Sequence, residues 1–299
     1  MRFLWNKIGC HYSREEWFCM KLALIVLWVP LIVSTLTKYD SAPLSVGICK
    51  VFPCDIFIHN GVSDFFILTT LVVAVLYLLE WKTRWLTIIM FLISLLTFSV
   101  EESNGVLERR GLLTFIFFAQ FLAYSFSRRK TSKHLAQNRV QFSIQIIAVG
   151  YTLSAFSKLY NSGIYWVLDG KNMALQILKS FHYQYIDLGN AEYLREANIM
   201  VGAFGKNENL IYIALACTLI IEAFALISIL NKKTAFVYGT LLLLMHAGIA
   251  HVMAINITAI VYPMIIFMLN PIYLAVKFLL SAFKYATNRP FERKTDAFN

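Results

Sequence analysis

Runs of about twenty apolar residues recur eight times along this chain, and a helix of that length crosses the roughly 30 Å hydrocarbon core of a bilayer. Inside lipid every backbone N–H and C=O must be satisfied by the segment itself, which a single apolar run achieves only as an α-helix. The pattern therefore predicts an all-α, polytopic membrane bundle with spans at residues 17–37, 61–80, 84–101, 110–127, 140–160, 209–230, 234–255 and 257–280. The last is the one that Pro263 and the Asn270-Pro271 pair can kink or break. Composition agrees, with 59% hydrophobic and 15% charged residues against about 25% charged in a soluble domain.

The net charge of +10 would suggest nucleic acid in a soluble chain, but here the basic residues lie between spans, where they set orientation. With the N-terminus in the cytoplasm, Lys82, Arg84, Arg128 to Arg139, Lys232, Lys233 and the tail from Lys277 to Lys294 fall on one side. Asp40, Asp55, Glu101, Glu102 and Glu108 fall on the other. The expected partner is the lipid bilayer, not nucleic acid, and both termini are expected in the cytoplasm. One domain covers residues 1–299, with the bundle at 17–280, an extracytoplasmic lid-like segment at 161–207 and a basic cytoplasmic tail at 281–299. Met1 to Cys10 shows no adjoining apolar run and no small-residue cleavage site, so the first span reads as uncleaved.

The first outer loop holds Cys49 and Cys54, which an oxidising compartment would keep as a disulfide. Free thiols are the alternative. A metal site is disfavoured because only His59 is near and a tetrahedral site wants four ligands. Cys10, Cys19 and Cys217 lie inside or near spans, where burial is the default. In the 161–207 segment, Lys171 to Lys179 has apolar residues at helical spacing and Trp166, Phe181, Tyr183 and Tyr185 give it interfacial character, so an amphipathic helix is expected on the outer face. It is either a lid over a cavity or a peripheral cover.

Ionisable side chains inside spans are costly without work or a partner. Lys158 is one, either functional or an interfacial lysine that snorkels to the headgroups. Helical rise places Lys158 roughly 27 Å and His251 roughly 25 Å from the cytoplasmic ends of their spans, near the outer face. The same count gives roughly 13 Å for Glu222, about 16 Å for Tyr151 and roughly 18 Å for His246. Glu222 and His246 lie on spans joined by a short connection and are expected to pair, either as part of a site or as a buried packing contact. One cavity is predicted, with Glu222, His246 and Tyr151 in its floor, Lys158 and His251 toward its mouth, and Trp166 and Asp169 above. The small residues of His246-Ala-Gly-Ile-Ala250 are expected to let helices approach closely. There is no phosphate-binding glycine loop, nucleophile elbow or His-Glu-x-x-His helix, and the Asn256-Ile-Thr258 sequon sits in a very short outer turn.

Tyr151, Ala155, Lys158-Leu159, Trp166, Gly170 and the downstream Leu-Met-His246-Ala-Gly followed by Met253 resemble the HTTM (horizontally transferred transmembrane) module, the membrane domain of vitamin K-dependent gamma-carboxylases and many bacterial proteins. The resemblance covers roughly Trp17 to Leu280. It implies Lys158 as the base toward a bound hydroquinone, a family histidine matched by His246, and a quinol or similar lipid-soluble cofactor. The chain departs from the carboxylases at Ser157, where they have a second lysine, at Ala155, where they have glycine, and in its shorter spacing to Trp166. No large recognition domain follows Leu280. Three functions are expected in competition. The first is an enzyme or enzyme component acting on a quinol-like or peptide substrate. The second is a non-catalytic membrane partner in the maturation or export of a secreted peptide with accessory proteins, as in the sporulation-delaying toxin systems that the same module resembles. The third is a redox-linked protein using Cys49 and Cys54. A bacterial inner membrane is the expected location.

Overall fold

A computed structural model describes residues 12–38, 47–58, 60–103, 110–127, 132–205, 207–255 and 258–287. The described chain is all helical. In order come α1 (Arg14–Lys38), α2 (Asn60–Leu78), α3 (Thr83–Ser103), α4 (Gly111–Phe126) and the long α5 (Ser132–Ser162). The short α6 (Tyr165–Leu168) then leads to the hairpin α7 (Met173–Leu188) and α8 (Glu192–Gly205). The chain returns through α9 (Glu208–Ala223), α10 (Lys232–Met253), α11 (Thr258–Met264) and α12 (Pro271–Thr287).

The eight segments expected to span are all helical, though they are not equivalent. Among the described residues, five helices are long and apolar enough to cross a membrane: Arg14–Thr37, Gly61–Leu78, Thr83–Ser103, Leu135–Ser162 and Lys232–Met253. Helix α4 is a shorter apolar helix, and α9 continues through a 3-10 turn at Ala225–Ile229. The protein is a multi-pass, membrane-type helical bundle. The expected last span divides: after Pro263 the helix widens into a π turn at Ile265–Leu269, and the chain bends by 43° into α12. Asn270 closes that turn with its N–H on Ile265 O at 2.8 Å and takes φ +48°. A proline inside a helix removes one ladder donor, and the extra residue in the following turn re-pairs the backbone.

Hydrogen bonds fix the register of the apolar core. Trp28 Nε1 donates to Ser94 Oγ at 2.7 Å, and Tyr77 donates to Gln120 Oε1 at 2.6 Å, each between fully buried groups. At the end where α1 begins, the α2–α3 turn carries Glu80 and Lys82 with φ of +59° and +40°. Lys21 reaches it from the apolar face of α1 and donates to Leu78 O at 2.8 Å and Glu80 Oε1 at 3.2 Å. Arg139 of α5 lies between the rings of Trp17 and Tyr124, 4.7 and 4.5 Å from their centres, with Nη1 3.6 Å from the same carboxylate. Burial alone would raise the Glu80 carboxyl, but the charges of Arg139 and Lys21 outweigh it and hold the group below its ordinary value of 4.5.

At the opposite end, Glu101 and Arg110 are not loop charges facing water. They form a buried ion pair at 2.7 Å, with Thr35 donating to Glu101 at 2.6 Å and Arg110 donating to Thr35 at 2.9 Å. The expected close approach at Gly248 is absent, since a Cβ there would meet nothing within 4 Å. The helices meet instead at Gly239, where a Cβ would lie 2.6 Å from Met268 Cβ. Cys19 is buried as expected, whereas Cys217 is exposed on α9.

Candidate functional site

Helix α5 presents Tyr151 and Lys158 on one face, two turns apart. Side chains on a helix lean toward its N-terminus, so the long stem of Lys158 runs back down α5 and not outward to the headgroups. Its ammonium meets the Glu222 carboxylate of α9 in an ion pair and lies 4.7 Å from the centre of the Trp166 ring. Thr152 donates to Glu222 O at 3.4 Å, which brings α9 against α5 at that level. The Lys158 side chain keeps 23% of its surface accessible, against 7% for Glu222. One partner is closed in and the other reaches the edge.

The expected pairing of Glu222 with His246 is replaced by two different contacts. Glu222 takes Lys158, and His246 takes Tyr151, whose hydroxyl is 2.6 Å from Nε2 and 3.1 Å from Met264 Sδ. A hydroxyl has one hydrogen, so both contacts are hydrogen bonds when Nε2 carries the imidazole proton and donates to the tyrosine oxygen. Depth counted from sequence failed here because a lysine bridges several residues of helix rise and because α5 starts at Ser132, well before the apolar run at Val140.

The single cavity also divides. His251 lies in a separate pocket between α10 and the α7–α8 hairpin, and that pocket is not lined by Tyr151, Lys158, Trp166, Glu222 or His246. Asp169 belongs to a 3-10 turn at Asp169–Asn172, and its side chain lies outside the described residues, as do Cys10, His59, the Asn256-Ile257 pair and the tail beyond Thr287. Gly170 is enclosed, with Ile211 and Tyr212 of α9 2.9 Å from a Cβ built on it, so the lid-like segment is tied to α9 at that point. The expected amphipathic helix is α7. Its Ile177 and Phe181 pack with Ala197 of α8 in a small core of their own.

Cys49 and Cys54 are joined in a disulfide and retain only 9% and 3% of their surface. The bond ties the 3-10 turn at Gly47–Lys50 to the one at Cys54–Ile58. No group of three His, Cys, Asp or Glu placed to hold a metal occurs among the described residues. Sequence reasoning passed over Lys21, Glu80 and Arg110, although a lone lysine a few residues into the first apolar run was a visible signal. Comparison with known proteins finds no family, no curated protein and no solved structure that matches this chain.

Proposed function

We propose that the chain is an HTTM-like enzyme or enzyme component of a bacterial inner membrane, with both termini cytoplasmic, acting on a quinol-like or peptide substrate at the Lys158–Glu222 couple. One observation carries the reading. An intramembrane lysine is turned inward onto a buried carboxylate beneath an indole, yet its side chain stays partly accessible. The Lys158 proton can pass to Glu222 Oε2, and the freed amine then takes the hydroxyl proton of a bound weak acid. The resulting oxyanion lies beside a lysine ammonium, and Glu222 leaves the step as a neutral carboxylic acid. Tyr151 and His246 position the couple by fastening α5 to α10.

The test uses 1-naphthol, a weak acid that does not need an oxidant, on the whole protein in lipid nanodiscs. The protein should bind it saturably and give ground-state naphtholate absorption at neutral pH, with quenching of Trp166 that is lost in Trp166→Phe. Lys158→Arg keeps the charge but cannot release its proton, so it should bind without forming naphtholate. Equal naphtholate yield from Lys158→Arg would end the base assignment. A second reading, a non-catalytic partner in peptide maturation or export, is favoured by the same pair viewed as complete, since Lys158 already has a carboxylate and an aromatic face. It expects Lys158→Arg to support whatever phenotype the gene supplies.

A further inference from the structure

The pocket that holds His251 has no part in the couple above, and its chemistry differs. It has a volume of about 580 Å³, within the range of small-ligand sites, roughly 300–1,000 Å³. Its apolar wall comes from the hairpin, with Phe181, Tyr193 and Met200, and its polar groups are Gln184, Glu196 and His251. None of the described lining residues is a lysine or an arginine.

Electron-rich groups converge on this space. Helix α10 ends here, and the last four carbonyls of a helix have no partner within it and form the negative end of its dipole. Gln184 Nε2 donates to Ala254 O at 3.2 Å, which turns the amide's donor toward the helix end and leaves its oxygen as a further acceptor. Glu196 forms no ion pair among the described residues. The neighbouring Arg195 is engaged elsewhere, with Nη2 2.7 Å from Glu192 Oε1. A carboxylate, a helix C-terminus and an amide oxygen above an aromatic and thioether wall suit a cation attached to an apolar body. An anion would meet Glu196 and the negative helix end.

We infer that this pocket binds a protonated primary amine carried on an apolar chain, with Glu196 as its counter-ion and the end of α10 as its hydrogen-bond acceptor. The amine can come from the amino terminus of an apolar peptide or from an aminophospholipid headgroup. The inference does not depend on the Lys158 chemistry, and either can fail alone.

The experiment uses the full chain in phosphatidylglycerol nanodiscs, with hydrogen exchange of residues 173–205 as readout and empty discs as a partition control. Octylamine should protect the hairpin saturably, and octanoate of equal length should not. Glu196→Gln should weaken the octylamine effect by about tenfold, as expected for losing one charged hydrogen bond, while Glu196→Asp retains it. Because Glu196 is exposed, the variants fold, and unchanged exchange across residues 132–162 would verify that. A leucine-rich hexapeptide with a free amino terminus, competing where its acetylated form does not, assigns a peptide source. Loss of the octylamine effect in phosphatidylethanolamine discs assigns the lipid. Equal protection by octanoate, no saturable protection, or an unchanged Glu196→Gln response would overturn the inference.

Discussion

Replacing Lys158 by methionine leaves the Glu222 carboxylate, 7% accessible, without its cation. Breaking a buried ion pair from one side costs roughly 3–5 kcal/mol. The penalty of Lys158→Met at pH 7 should therefore lie in that range, toward its lower end because Lys158 keeps an accessible edge. Glu222→Gln should cost less, since the stranded lysine keeps an accessible edge and the Trp166 face. The double variant Lys158→Met/Glu222→Leu, which buries no charge, should be more stable at pH 7 than Lys158→Met alone. Denaturant unfolding in detergent, followed by circular dichroism at pH 7, measures all three. A Lys158→Met protein within about 0.5 kcal/mol of the parent would refute the buried pair.

Glu80 gives a pH signature. Its carboxyl is held below 4.5 in the folded state, so its contribution is complete above the ordinary glutamate range and is lost as the pH falls through the lowered value. The stability gap between the parent and Glu80→Gln should stay constant near neutrality and close only below about pH 4, as read from thermal unfolding across that range. At Gly239, substitution by alanine should destabilise by roughly 1–3 kcal/mol, because Met268 Cβ would stand 2.6 Å away and is fixed to its backbone. The control Gly248→Ala meets open space and should be neutral or stabilising by up to about 1 kcal/mol in the same unfolding assay.

The sequence by itself determined the helical class and the positions of all eight apolar segments. The reason is local: a long apolar run in lipid has no alternative to satisfying its own backbone. It also marked Lys158, Glu222, His246 and Tyr151 as residues that needed partners, since an ionisable or hydroxyl group among aliphatic neighbours is conspicuous whatever the fold. Which partner each one takes was settled only in three dimensions. Lys158 meets Glu222 because its stem leans back along α5, and the Tyr151 hydroxyl meets His246 Nε2 at 2.6 Å. Counting residues from assumed helix ends cannot register side-chain reach, helix tilt or the eight residues that precede the apolar part of α5. The separation of His251 from the couple depends on where the α7–α8 hairpin folds over the end of α10, a contact between segments tens of residues apart. The close approach fell at Gly239, not Gly248, because it is set by the π turn that Pro263 imposes on the opposite helix. A glycine shows in its own sequence only that contact is permitted, and the packing of the neighbouring helix decides whether it happens.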